Sequence, residues 1–267
     1  MSPWHIDSFD VETGAITGGI DVAQVGYVHS DPDLIDWQYE ATQTFANVWG
    51  SSLGTTVTGR GWCEGDCRVT RQNYPTMAVL ERGIWEDYVV GESTTYQPGD
   101  VGSGILNAET TFTNPGWVNS VSNSGPTPAA RCDNMLPGRG AGCVLSAVTP
   151  EMFYRLDGPY PELAKHIQKA QAKGLPGARG GTPLQRATED VVKDRNRAVA
   201  CPDSLPRPEG KDCDEYPFAS TWEGAAFGPY DVEMINSWQN QQGGSALSDF
   251  YDEERVLNLD PFWVTIV

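Results

Sequence analysis

Cysteines at 63, 67, 132, 143, 201 and 213 fall in three close pairs, and this grouping constrains the fold more than any other feature of the chain. Six thiols can pair in about 15 ways. Short closures need little long-range organisation, provided the Cα atoms can reach bridging distance. The segments RCDNMLPGRGAGC and CPDSLPRPEGKDC carry the Pro and Gly that let a chain turn back on itself. Bridges Cys63–Cys67, Cys132–Cys143 and Cys201–Cys213 are therefore expected, and with them a secreted, extracellular protein. Free buried thiols are the alternative. A zinc centre is disfavoured, because the chain has only 3 histidines and none stands at ligand spacing from these cysteines.

The 29 Gly and 19 Pro among 267 residues argue for many turns and against a helical bundle, while 27 aromatic residues argue against disorder. No apolar run approaches the length of a membrane span. The opening Met1-Ser2-Pro3-Trp4-His5 shows no basic-then-apolar leader pattern, so a leader is expected to be absent or already removed. Net charge is −18, which opposes a protein that coats nucleic acid indiscriminately. The charge is uneven, however. Residues 1–130 hold 4 basic and 16 acidic side chains, whereas 160–211 hold 10 basic and 6 acidic. A polyanion would meet the second stretch.

The fold class expected is α+β: a mainly β domain at 1–125, of unassigned role, and a small α+β domain at 126–267 with helices packed on an antiparallel sheet. TTVTGRGW at 55–62 and ILNAETTF at 105–112 read as strands. Segment 34–50 has Ile35, Tyr39, Phe45 and Val48 near helical spacing and is expected to be a helix, with strand as the alternative. SNSGPTPAA at 122–130 suits a linker. A helix is expected over 160–174, stopped at Gly174, with Leu163, Ile167 and Ala170 as its apolar stripe. A second should start at Thr182-Pro183 and run to Ala200, with Lys193, Arg195 and Arg197 in its C-terminal half. Strands are expected at 216–221, 230–235, 255–259 and 262–267.

Chemistry concentrates at Lys211-Asp212-Cys213-Asp214-Glu215-Tyr216. Carboxylates so dense are costly to bury unpartnered, and they are the natural ligands of hard divalent cations. In an extended segment Asp214 and Tyr216 share one face, with Cys213 and Glu215 on the other. Taken alone, such a run is most often a solvated turn. His166, beside the apolar stripe, reads as a half-buried structural histidine or as a general base. Glu223 is followed by small residues that allow another segment to approach closely. Asn240, Gln241 and Gln242 before Gly243-Gly244 form an amide-rich turn suited to a ligand or to closing a loop.

Read together, CDEYPFAST with Glu223-Gly224, the helix YPELAKHIQKAQAKGLP and the run NQQGG resemble the NucA/NucB family of bacterial secreted deoxyribonucleases over roughly 131–267. The arrangement RCDN…GC is similar to longer secreted members from filamentous actinobacteria. The resemblance implies non-specific endonucleolytic cleavage of DNA assisted by a divalent cation, Mg²⁺ or Mn²⁺. It places Asp214 as metal ligand, Glu215 beside it, and Glu223 or His166 as the group that takes the proton from water. Lys193, Arg195 and Arg197, with Asn240 and Gln242, would hold phosphates. Cys213 stands where family members often have Arg, and the overall acidity departs from a DNA-binding enzyme. A monomer is expected, with DNA as substrate and an inhibitor or immunity protein as a conceivable partner. The competing reading is a degenerate nuclease domain serving as an extracellular binding or structural module, with the acidic β region recognising a surface or glycan.

Overall fold

Period-two alternation governs the first half of the chain. In β3 (Asp36–Gly50) Trp37, Ala41, Gln43 and Phe45 are buried, while Thr42, Thr44 and Ala46 are exposed. The helix expected over 34–50 is therefore a strand. Its Tyr, Thr, Phe, Val and Trp side chains suit a pleated surface, and both its edges are paired. The computed structural model describes residues 2–74, 78–79 and 84–267. It divides into two units, Met1–Ala147 and Val148–Val267.

The first unit holds two antiparallel sheets. One runs β1 (Ser2–Phe9), β2 (Ile16–Ser30), β3, β7 (Ile84–Ser93), β5 (Cys67–Asn73). The other runs β11 (Gly142–Leu145), β10 (Ala130–Asp133), β8 (Val101–Thr113), β4 (Thr56–Gly65), β6 (Ala78–Val79), with β9 (Val121–Pro126) also on β8. Ile20, Val22 and Phe45 of the first sheet meet Val57 and Phe112 of the second, and Trp37 and Val89 meet Leu106. The sheets thus pack face to face. The expected linker at 122–130 is instead β9 and the start of β10, so the boundary falls at Ala147/Val148 and not near 125. Every residue of β9 is exposed, and an exposed edge strand has the small, polar composition of a linker.

The second unit is α+β. Its elements are β12 (Glu151–Tyr154), α1 (Pro161–Ala172), β13 (Leu184–Gln185), α2 (Asp190–Ala200), β14 (Lys211–Tyr216), β15 (Asp231–Asn236), α3 (Ser237–Glu253) and β16 (Pro261–Ile266). The sheet β12-β16-β13 is mixed: β16 is parallel to β12 and antiparallel to β13, so the wholly antiparallel sheet is corrected. β14 and β15 form a separate antiparallel hairpin. Leu163, Ile167 and Ala170 of α1 pack with Leu247 and Phe250 of α3 and with Phe262 and Val264 of β16. Gly243 brings α3 onto α1, since a Cβ there would meet Leu163 at 2.1 Å.

Other boundaries also differ from the expectation. Thr182-Pro183 leads into β13, and α2 begins eight positions later behind Glu189. The strand expected at 216–221 ends at Tyr216, because Pro217 has no N–H to pair and Phe218–Thr221 turns. Segment 255–259 is a turn with Arg255 and Leu259 at positive φ, 49° and 67°. Residues 240–244 lie within α3. The helix over 160–174 is present, ending before Gly174 at φ 92°.

All three expected disulfides are formed, and no free cysteine occurs among the described residues. Cys132 and Cys143 sit directly opposite across β10 and β11, while Cys201 at the end of α2 is tied to Cys213 in β14. Replacing Cys201 and Cys213 by Ser should lower unfolding stability by about 3 kcal/mol, from the chain entropy of a loop of roughly a dozen residues. Urea unfolding of the double variant beside the parent chain measures it, and an unchanged midpoint refutes it. No helix of the described residues is long and apolar enough to cross a membrane.

Candidate active site

β14 sends alternate side chains into two environments, as extended backbone requires. Asp214 and Tyr216 point towards α1. The Tyr216 hydroxyl donates to Pro176 O at 2.7 Å and accepts from Gln171 Nε2 at 3.0 Å. Asp214 Oδ2 accepts from His166 Nδ1 at 2.5 Å. Cys213 and Glu215 point towards α2, where Cys213 is bonded to Cys201 and Glu215 Oε2 lies 3.5 Å from Cys201 Sγ.

His166 is completely buried, not half-buried, and Asp214 is 5% exposed. α1 turns the ring inward between Leu163, Ile167 and Ala170, so one histidine serves both the core and the carboxylate. The far ring nitrogen, Nε2, has no hydrogen-bond partner among the described residues and sits 3.9 Å from Asp231 Oδ2. Burial pushes the Asp214 carboxyl up, and its bond to His166 opposes the shift. Glu215 is pushed up to about 7 by burial and then by the Asp214 charge, with Arg197 acting the other way.

A groove of about 630 Å³ opens beside this strand. Asp212, Asp214 and Glu215 reach it from β14, while Lys193 and Arg197 reach it from α2. Arg207, in the loop closed by Cys201–Cys213, and Arg186 complete its basic lining. Lys193 is 2.8 Å from Asp190, Arg197 is 3.6 Å from Asp194, and Arg207 is 3.4 Å from Asp212. Ion pairs of this exposed kind are weak, so the cations are free to exchange partners for phosphate. Arg186 is more fixed: it lies 4.5 Å above the Tyr251 ring and donates to Val256 O.

Three expected site residues stand elsewhere. Arg195 is exposed and does not line the groove. Gln242 is also absent from the lining. As a helix, α3 brings Asn240, Gln241, Gly244 and Ser248 to one face, whereas a turn had suggested Asn240 with Gln242. Asn240 is held there by its bond from Nδ2 to Cys213 O at 3.0 Å. Glu223 accepts from the Gln185 N–H at 2.9 Å and does not line the groove; burial pushes its carboxyl up and the Gln185 N–H opposes.

The small residues after Glu223 do admit a close neighbour, but it is Asn196 of the same chain. A Cβ at Gly224 would lie 2.2 Å from Asn196 Nδ2. Asn196 is fully buried, donates to Ala219 O and Thr221 O at 2.9 Å each, and accepts from Ala226 N at 3.0 Å. It fixes the turn that follows β14. Sequence reasoning missed Arg186, Arg207 and Asn196. Only the basic excess over 160–211 signalled the two arginines.

Among the described residues, no group of three or more His, Cys, Asp or Glu side chains is arranged to hold a metal ion. A site in which a hard cation keeps several waters takes only one or two protein oxygens, and Asp214, beside His166, can offer one.

Residues 176–265 match the family model described as deoxyribonuclease NucA/NucB. The matched stretch is narrower than the resemblance over 131–267 and leaves His166 outside it. No curated protein matches the chain. Among solved structures, the chain is similar to the crystal structure of the yeast GGA1 GAE domain at 12% identity and a TM-score of 0.22. That likeness covers 47% of this chain and 96% of the other, and is too slight to bear on fold or function.

Proposed function

We propose that the Val148–Val267 unit is an endonuclease that hydrolyses DNA phosphodiester bonds without base preference, using Mg²⁺ or Mn²⁺. One observation carries the reading: a buried, histidine-braced carboxylate lines a groove that Arg186, Lys193, Arg197 and Arg207 also line. The family match over 176–265 supports the same reaction class. Three disulfides support action outside the cytoplasm.

In this mechanism Asp214 would hold the cation, with waters completing its shell. Held there, a divalent cation would supply positive charge to offset the charge that develops on the phosphate. His166 keeps the Asp214 carboxylate at one orientation, and is thus a positioning residue. Glu215, which reaches the groove where Glu223 does not, is the better placed group to take a proton from water. Lys193, Arg197, Arg207 and Arg186 grip flanking phosphates, which sets position and carries no sequence information. A supercoiled-plasmid nicking assay with Mg²⁺ and with EDTA tests the proposal. Nicking that EDTA abolishes is expected; a well-folded chain that leaves the plasmid intact with either cation refutes it.

The groove walls give a second expectation. Replacing Lys193, Arg197 and Arg207 together by Ala should weaken DNA binding equally across sequences. It should also reduce the slope of log K against log salt by roughly 0.9 per lost contact. Arg195→Ala should leave the slope unchanged. Binding isotherms over a salt series, read in EDTA, measure both. A slope that moves with Arg195 and not with the triple variant would place the phosphate track on the opposite face of α2.

A further inference from the structure

We infer that the first unit carries a binding site for a neutral glycan, in a groove between its two sheets. The groove has a volume of about 580 Å³. Gln24, Tyr27, Tyr39 and Gln43 line it from β2 and β3, and Thr110 and Asn123 from β8 and β9. Tyr74 also lines it, its ring pressed on Gly59, where a Cβ would lie 2.1 Å from Tyr74 Cδ1.

The polar groups here are organised beyond what packing needs. Gln43 is 2% exposed, and its Nε2 donates to Thr110 Oγ1 at 2.9 Å and to Asp87 Oδ2 at 3.2 Å. Those bonds fix the amide and leave Oε1 with no partner among the described residues. The buried Tyr74 hydroxyl is also without one. Gln24 Nε2 donates to the Tyr39 hydroxyl at 3.1 Å, which orients a second phenol at the groove. A buried acceptor and a buried hydroxyl on the wall of an open groove are costly unless something completes them.

The lining selects the chemistry of that completing group. Sugar hydroxyls both donate and accept, so they can complete amide, phenol and hydroxyl groups of this lining in either direction. The apolar C–H face of a pyranose packs against tyrosine rings, and Tyr27, 53% exposed, stands at the rim. Among the described residues, no Lys or Arg lines the groove. With 4 basic and 16 acidic residues in 1–130, the surrounding field repels anions and so disfavours nucleic acid.

The test is a titration of the full chain with cellotetraose, chitotetraose and maltotetraose, followed by amide-detected NMR and calorimetry. Saturable binding of at least one, with shifts at Gln43, Tyr74 and Asn123, is expected. Gln43→Leu should weaken it by about tenfold or more. Gln43 is buried, so the exposed pair Tyr27→Ala and Asn123→Ala provides a variant with no core to disturb. It should lose binding to a similar degree while plasmid nicking stays unchanged. A folded chain that binds none of the three sugars overturns the inference. So does sugar binding that survives both variants, or a DNA oligonucleotide in EDTA that shifts these residues instead.

Discussion

Asp214→Asn should lower DNA cleavage by about 10²-fold or more and weaken divalent-cation binding in the same protein. The substitution preserves shape and still accepts the His166 N–H, so the second unit should stay folded. What it removes is charge. A buried carboxylate is retained at 5% exposure because the His166 ring braces it from within the core. Calorimetric Mg²⁺ or Mn²⁺ titration beside single-turnover plasmid cleavage measures both effects. Activity that persists in a variant with unchanged cation affinity would remove Asp214 from the centre of the mechanism.

Glu215→Gln should reduce turnover by about 10²–10⁴-fold, the range expected when a positioned general base is lost. Glu223→Gln should do much less to chemistry. Its carboxylate accepts the Gln185 N–H, a bond the amide oxygen of Gln can keep, so stability should change by less than about 1 kcal/mol. Single-turnover rates at saturating cation and thermal melting curves separate the two variants. Should Glu223→Gln abolish cleavage in a chain that melts normally while Glu215→Gln remains active, proton transfer belongs to the turn after β14, as the sequence first suggested.

The parts of this molecule that were readable in advance are those fixed by local chemistry. Cysteine spacing gave the three bridges, and strand periodicity put Asp214 and Glu215 on opposite faces. Gly174 marked the end of α1. Where tertiary pairing decided, local pattern misled. Segment 36–50 has enough aliphatic and aromatic residues to match either period, and its place between β2 and β7 settles it as strand. Asn240 and Gln242 looked like neighbours in a turn, but Gly243 sits inside a helix because α1 lies too close for any side chain. Glu223 carried the right chemical group, yet the backbone of Gln185, 38 positions away, uses it. No pattern confined to a short window can report such a partner.

The Cys201–Cys213 bridge has a meaning that its loop length does not convey. It fastens α2, which bears Lys193 and Arg197, by its C-terminal end to the strand bearing Asp214 and Glu215. On the nuclease reading, that one covalent bond aligns the phosphate grip with the reacting groups. Cytosolic thiol buffers keep such bonds open, whereas an oxidising exterior closes them. On the same reading, grip and reacting groups are covalently tied only where thiols are oxidised, and reducing surroundings would leave their alignment to packing alone.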